Sequence, residues 1–118
     1  MTPEQTLTAA AQKLRAAATA ASPGPWTVND TTYPESIHDA TGRDIISGSR
    51  WGGEARIFDE DADATWTALA HPGVGLALAD WLDTAARYAS RRPADHQTST
   101  PFLAAALAVA RQILGDQP

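Results

Sequence analysis

The segment HPGVGLALADWLDTAARYASRR, residues 71–92, decides how the chain is interpreted. His71-Pro72-Gly73 ends one helix and begins another, because proline cannot continue a helix but is tolerated in its first turn. The spacing that follows is typical of an amphipathic helix that packs one face against a neighbour. We interpret this stripe as core, with self-association as the other use of the same face. The stripe consists of Val74, Leu78, Trp81, Ala85 and Tyr88, and it is widened by Ala77 and Leu82.

The residues before this segment predict another helix, from the acidic run 59–63 to about Ala70. Carboxylates in a first helical turn interact favourably with the exposed N–H groups and the helix dipole. Trp66 and Leu69 are expected to form its buried face. The same acids have the alternating spacing of a calcium loop, but such a loop needs a glycine and a glutamate where this chain has Ala64 and Ala70. We therefore predict a helix start and no metal site.

Two further helices are predicted at the chain ends. Thr2-Pro3-Glu4-Gln5 has the form of a capping box with proline in the first turn, and the helix runs to about Ala21, before Ser22-Pro23-Gly24-Pro25. The last helix begins at Thr100-Pro101 and ends before Gly115. It is apolar nearly all round, which favours a place in the core or in a subunit interface.

Short β-type segments replace the helical period between Trp26 and Phe58. Residues 39–43, Asp-Ala-Thr-Gly-Arg, predict a hairpin turn with a bulge, because Asp favours turn initiation and Gly the left-handed position. The fold class is therefore α+β: an N-terminal helix, a small antiparallel β-meander of three to four short strands, then three helices packed on the sheet, as a single domain over residues 1–118. The candidate strands are Trp26–Val28, Ser36–His38, Asp44–Ser47 and Ala55–Phe58.

Composition excludes several functions. The 118 residues contain no cysteine, which excludes disulfides and thiolate metal sites, and a net charge of −5 argues against a nucleic-acid partner. The one basic cluster is Arg87, Arg91 and Arg92. The segment MTPEQTLTAA lacks the pattern of a signal peptide, and no apolar run reaches the roughly 18 residues of a membrane span. We expect a cytoplasmic protein without a membrane partner.

The glycine-rich segment 48–56 is the candidate ligand-binding loop. Arg50 and Arg56 could grip a phosphate and Trp51 could stack on a base, with Trp26 or His71 completing a site for a nucleotide-like small molecule. The segment matches neither the P-loop nor the dinucleotide-binding fingerprint. The alternative interpretation is a flexible connection between two strands.

The histidines suggest little chemistry. His38 is next to Asp39, and His71 follows the predicted helix that ends near Ala70, where a cation would be favoured. The chain contains no HExxH motif, close histidine pair or GxSxG elbow. We therefore predict no catalytic residue, metal or cofactor, and keep an acid–base pair of His38 or His71 with Asp39 as the enzyme alternative.

The apolar helix faces exceed what a small sheet can cover, which predicts an interface. Its candidate residues are Trp81 and Tyr88 on the third helix and Leu107 and Ile113 on the last. The partner would be a second copy of the chain, forming a twofold homodimer, or another protein.

The order of several short motifs resembles a known group of proteins. Small accessory proteins of actinobacterial phages, prophages and integrated elements have a similar order over about residues 7–114, and Ead-type early-region proteins of lambdoid phages are more distantly similar. The chain departs from them at Trp66-Thr67-Ala68, where a Tyr/His-Ile-Ala sequence is expected. The motifs are Pro23-Gly24-Pro25-Trp26, Asp63-Ala64, His71-Pro72, residues 76–82 (LALADWL) and residues 106–114.

The resemblance implies an accessory protein of a phage or mobile element that acts in the host cell. It implies no catalytic residues. Such a protein would bind a host or defence protein through its helix faces and acidic surface, and counter-defence is one role this would serve. Sequestering a nucleotide signal is the alternative.

Overall fold

The computed structural model of the protein describes residues 1–29, 36–46, 61–93, 96 and 100–115. These residues form an N-terminal helix, an antiparallel three-stranded sheet and three further helices, which confirms the predicted α+β class. The predicted strand at 55–58 lies outside the described residues. The elements are α1 (Pro3–Ala20), β1 (Thr27–Asn29), β2 (Ser36–His38), β3 (Asp44–Ile46), α2 (Asp61–Leu69), α3 (Pro72–Ser90) and α4 (Pro101–Leu114).

The predicted caps form at both chain ends. Gln5 N–H donates to Thr2 Oγ1 at 3.1 Å, and Thr2 N–H donates back to Gln5 Oε1 at 3.0 Å, which makes a reciprocal capping box. Leu103 N–H donates to Thr100 Oγ1 at 3.2 Å at the start of α4. Gly115 ends that helix with a φ of 79°, a conformation that glycine adopts without steric cost.

The sheet has the strand order β1-β2-β3, with Ile37 at its centre. Ile37 pairs with Val28 on one side and with Ile46 on the other, and its side chain is fully buried. The register shifts between Ile37 and His38, so the predicted bulge is present in the hairpin of β2 and β3.

Asp39 organises the turn of this hairpin. Its Oδ1 accepts hydrogen bonds from Thr41 Oγ1 at 2.7 Å, from Thr41 N–H at 2.9 Å and from Arg43 N–H at 3.0 Å. Gly42 has a φ of 87°, the left-handed conformation predicted for it. The Thr41 hydroxyl bond is the main reason why the pKa of Asp39 lies below its ordinary value, and the Arg43 and Thr41 backbone donors act in the same direction.

The chain divides into two compact units, which we call the helical unit (Met1–Ala17 and Gly75–Pro118) and the sheet unit (Ala18–Val74). The helical unit has a core of α1, α3 and α4 in which alanine is the most frequent buried residue. The core residues are Leu7, Ala10, Ala11, Leu82, Ala85, Ala86, Ala89, Leu103, Ala106, Leu107 and Ala110. In the sheet unit, α2 is the helix that contacts the sheet, at β1.

The buried face of α3 differs from the predicted stripe. Val74 and Tyr88 are 47% and 41% exposed. Small alanines allow neighbouring helices to approach closely, and a large ring does not fit between them. Trp81 and Tyr88 therefore lie beside the alanine face of α3. Both rings meet the ring of Phe102 edge-on, at centroid distances of 6.2 and 5.7 Å. Of the predicted stripe, Leu82 and Ala85 are fully buried, and the buried face also includes Ala79, Ala86 and Ala89.

The predicted buried face of α2 is wrong for the same reason. Trp66 and Leu69 are 70% and 62% exposed, whereas Ala64 and Ala68, one turn apart, are buried. The alanine face allows α2 to approach β1, and the large side chains are left outside.

An ion-pair cluster joins α1 to α3. Arg15 Nη2 lies 3.0 Å from Asp80 Oδ1 and 2.7 Å from Asp83 Oδ2. Arg15 therefore bridges two carboxylates, those of Asp80 and Asp83, which lie one helical turn apart on α3. On the same helix, Arg87 Nη2 lies 3.4 Å from Thr84 Oγ1.

No helix of the described part of the chain combines the length and the apolar character needed to cross a bilayer.

The alanine-rich core of the helical unit predicts that a larger side chain placed in it lowers the stability of the fold. Ala106→Leu inserts a larger side chain into a fully buried position and should lower the free energy of unfolding by about 1–3 kcal/mol, the usual cost of overpacking. Ala105→Leu, on the exposed side of the same helix, should have little effect. Urea denaturation of both variants checks this, and equal effects at the two positions would contradict the close packing described here.

Asp39 predicts a pH dependence. Because its pKa is lowered in the folded chain, its stabilisation is present above the ordinary carboxyl pKa and is lost as the pH falls through the lowered value. Unfolding free energy should therefore fall more steeply below about pH 4 in the wild type than in Asp39→Asn, which cannot ionise. Thermal denaturation across this pH range measures it, and parallel curves would refute the assignment.

Candidate binding cleft

The sheet unit contains a cleft of about 350 Å³. Its walls come from three segments: the start of β1, the second half of α2, and the junction that leads into the first turn of α3. The lining is mainly apolar. It consists of Pro25, Trp26, Val28, Thr65, Ala68, Leu69, His71 and Val74.

His71 occupies the N-cap position of α3. Its Nδ1 accepts a hydrogen bond from Gly73 N–H at 3.1 Å, and its carbonyl accepts one from Val74 N–H at 3.0 Å. His71 also follows the C-terminus of a helix, as the sequence predicted, because α2 ends at Leu69. An accepting Nδ1 carries no proton, so in this arrangement the ring hydrogen is on Nε2.

Two glycines make room for this imidazole. A Cβ at Gly24 would overlap the ring, and a Cβ at Gly73 would lie 2.7 Å from His71 Cε1. The segment after α1 and the first turn of α3 therefore both pass close to His71. This close approach holds the ring in its place in the cleft wall.

The indole N–H of Trp26 is already hydrogen bonded within the chain. Its Nε1–H donates to the carbonyl of Ser22 at 3.0 Å, a bond that ties the start of β1 to the end of α1. What Trp26 offers the cleft is therefore apolar ring surface and not a hydrogen bond. The Ala40 N–H donates to Pro23 O at 3.1 Å, so the hairpin turn holds the same segment from its other side.

The structure brings together two of the five predicted ligand residues. Trp26 and His71 share the cleft, although 45 positions separate them in the chain. Arg50, Trp51 and Arg56 lie outside the described residues, so the proposed phosphate-gripping loop stays a prediction.

The predicted interface residues have different surroundings. Leu107 is 2% exposed, so its side chain belongs to the core of this chain, and Trp81 and Ile113 pack partly buried against the same core. Tyr88 is exposed, with the Arg92 guanidinium 5.5 Å above its ring and Arg92 Nη1 3.1 Å from its hydroxyl. Of the four, Tyr88 offers the most surface to a partner.

The candidate acid–base pair of His38 and Asp39 does not form. His38 Nε2 lies 2.8 Å from Asp44 Oδ1 and 3.2 Å from Ser36 Oγ, while Asp39 accepts three hydrogen bonds in the hairpin turn. Serine and aspartate meet the same ring nitrogen, whereas a catalytic triad uses one nitrogen for each. The described residues also contain no group of three His, Asp or Glu side chains arranged to hold a metal ion.

Most of the cleft lining differs from the residues predicted from the sequence. Leu69 and Val74 are predicted on buried helix faces, and Thr65, Val28 and Pro25 are not among the predicted ligand residues. The signal that could have identified Leu69 is the pair Ala64 and Ala68: two alanines one turn apart mark a closely packed face, which turns Leu69 toward the edge.

Comparison with known proteins identifies no relative: no family model, no curated protein and no solved structure matches the chain. The similarity to phage accessory proteins therefore stays a prediction. Two of the motifs on which it depends, Pro-Trp and His-Pro, nevertheless meet at the cleft. Pro25, Trp26 and His71 line the cleft, and Gly24 lies against His71.

The acidic charge of the protein is concentrated in the sheet unit. Its 57 residues contain nine Asp or Glu and three Arg, whereas the rest of the chain contains five acidic and six basic residues. The sheet unit therefore has a formal charge of −6 and the remainder +1. Of the described residues of this unit, Asp39, Asp44, Asp61 and Asp63 are acidic and Arg43 is the one arginine or lysine.

The cap assigned to His71 predicts different effects for two substitutions. His71→Ala removes the acceptor for Gly73 N–H and should lower the free energy of unfolding by about 1 kcal/mol, as losing an N-cap usually does. His71→Asn supplies an amide oxygen that can accept the same bond and should stay close to wild type. Urea denaturation distinguishes them, and an equal loss in both variants would mean that the ring stabilises the fold by packing alone.

Proposed function

We propose that the protein is a non-enzymatic interaction module that binds another protein through the cleft of its sheet unit. One observation carries the proposal: the α2 and α3 walls of this cleft end in large, exposed apolar side chains. Leu69 and Val74 are 62% and 47% exposed and both line the cleft. Trp66, three residues before Leu69 on α2, is 70% exposed.

Such a surface is suited to a partner protein. Apolar side chains exposed beside a concave site are typical of protein interfaces, and tryptophan is among the residues that contribute most to binding. A cleft of about 350 Å³ is large enough to take an apolar side chain of the partner. Leu69, Val74 and Trp66 would form the surrounding contact area, from which water is excluded.

Binding of a nucleotide-like small molecule is the second candidate function. The observation in its favour is that Trp26 and His71 share a cleft at the lower end of the size range of ligand pockets. Against it, Trp26 Nε1 and His71 Nδ1 are already hydrogen bonded within the chain, and the charge of the sheet unit repels an anion. This candidate depends on Arg50 and Arg56 for its phosphate contacts.

The proposed biological setting is a phage or mobile element. The order of the Pro-Trp, Asp-Ala and His-Pro motifs supports it, as does the meeting of Pro25, Trp26 and His71 at the cleft. In that setting the partner would be a host or defence protein in the host cytoplasm. A second copy of the chain is the other partner proposed from the apolar helix faces.

Native mass spectrometry of the protein purified from its natural host tests these proposals. The wild type should carry another protein chain, and Leu69→Arg should lose it because a guanidinium replaces apolar surface in the cleft. Leu76→Arg is the matched control: it makes the same change at a leucine that is 39% exposed and does not line the cleft.

Each other outcome points elsewhere. An extra mass of a few hundred daltons, lost in Arg50→Ala and Arg56→Ala, would support the small-molecule candidate. A dimer of identical chains that resists Leu69→Arg would place the interface outside the cleft. Retention of the partner by Leu69→Arg would contradict the proposed function.

A further inference from the structure

We infer that the segment bound by the cleft is basic as well as apolar: a large apolar side chain enters the cleft, and arginine or lysine flanks it. This inference rests on the proposed function and specifies the chemistry of its partner. Three features of the sheet unit carry it: the composition of the lining, the charge around it, and the hydrogen-bonding state of His71.

The lining selects an apolar anchor. None of its eight residues is Asp, Glu, Lys or Arg, and most are aliphatic or aromatic. A charged side chain that entered would lose its hydration without gaining an ion pair. An aliphatic or aromatic side chain would instead gain contacts with Pro25, Val28, Leu69 and Val74.

The surroundings select basic flanking residues. Arg43 is the only arginine or lysine in the described part of the sheet unit. Helix α2 begins at Asp61, one helical turn before Thr65, the first of its residues in the cleft lining, and Asp63 is exposed on the same helix. In sequence, Asp59 and Glu60 directly precede this helix. Charge of one sign near an apolar site favours partners of the opposite sign and speeds their encounter.

His71 adds a fixed hydrogen-bond donor. The bond from Gly73 N–H occupies Nδ1, and Gly24 and Gly73 confine the ring, so Nε2–H is the donor that remains on this side chain. A backbone carbonyl next to the anchor is the acceptor that any peptide supplies. His71 would therefore position the partner's main chain while the cleft takes its side chain.

The acids at the start of α2 also favour helix formation. A variant without their charge distinguishes this role from the attraction of a basic partner segment. Asp61→Asn with Asp63→Asn removes two negative charges but keeps side chains of the same size. If the acids served only the helix, this double variant would change stability and leave affinity for a basic segment unaltered.

The test is a selection from a random heptapeptide library made by mRNA display. Peptides are selected on the full-length chain and counter-selected on Leu69→Arg. The enriched peptides should contain a large aliphatic or aromatic residue next to arginine or lysine. A synthetic consensus peptide should bind the Asp61→Asn, Asp63→Asn variant about threefold to tenfold more weakly, the effect expected from losing two ion pairs of modest strength with the peptide.

The same peptide should bind His71→Asn more weakly, although this variant keeps its cap. Unchanged affinity there would remove His71 from the recognition model. Cleft-dependent peptides without basic residues, or an unchanged affinity of the Asp61→Asn, Asp63→Asn variant, would overturn the inference and leave the proposed function standing. If no enriched peptide depended on the cleft, the inference and the proposed function would both be overturned.

Discussion

Close packing through alanine is the constraint on which both units of this protein depend. In the helical unit, Ala85, Ala89 and Ala106 are fully buried, and in the sheet unit Ala64 and Ala68 are the buried residues of α2. A face of methyl groups lets two backbones approach, but it leaves no room between them for a ring or a long aliphatic chain. The large apolar residues are therefore displaced to the edges. Trp66, Leu69, Val74, Tyr88 and Phe102 are all 40% exposed or more.

This displacement connects the packing to the cleft. A leucine or tryptophan that the interior cannot accept becomes surface, and on α2 that surface lies beside a concavity whose other walls are fixed by polar bonds. Trp26 is held by the Ser22 carbonyl, and His71 by the Gly73 N–H. The walls are thus arranged before any partner arrives, which reduces the conformational entropy lost on binding. The alanines that allow close packing thus also keep the large apolar side chains at the surface, where a partner could contact them.

The sequence predicted the local features better than the side-chain faces. The capping box at Thr2 and Gln5, the Asp39 turn and the end of α4 at Gly115 depend on residues within four positions of one another, and all three are present. The buried faces were harder because hydrophobicity ranks Trp66 above Ala64, whereas the closeness of the partner backbone decides which of them is inside. Likewise, Trp26 and His71 were identified singly, but their meeting depends on long-range packing that no local pattern encodes.

Photo-cross-linking from the cleft tests the central claim most directly. A benzophenone amino acid would replace Thr65 in the cleft wall and, as the control, Ala105 on the exposed side of α4. In cells that naturally produce the protein, the account predicts an adduct with another protein from position 65 that is absent from position 105. Mass spectrometry of the adduct should locate it beside an apolar residue of the partner. No adduct from position 65, or the same adduct from both positions, would contradict the claim that this cleft is the binding site.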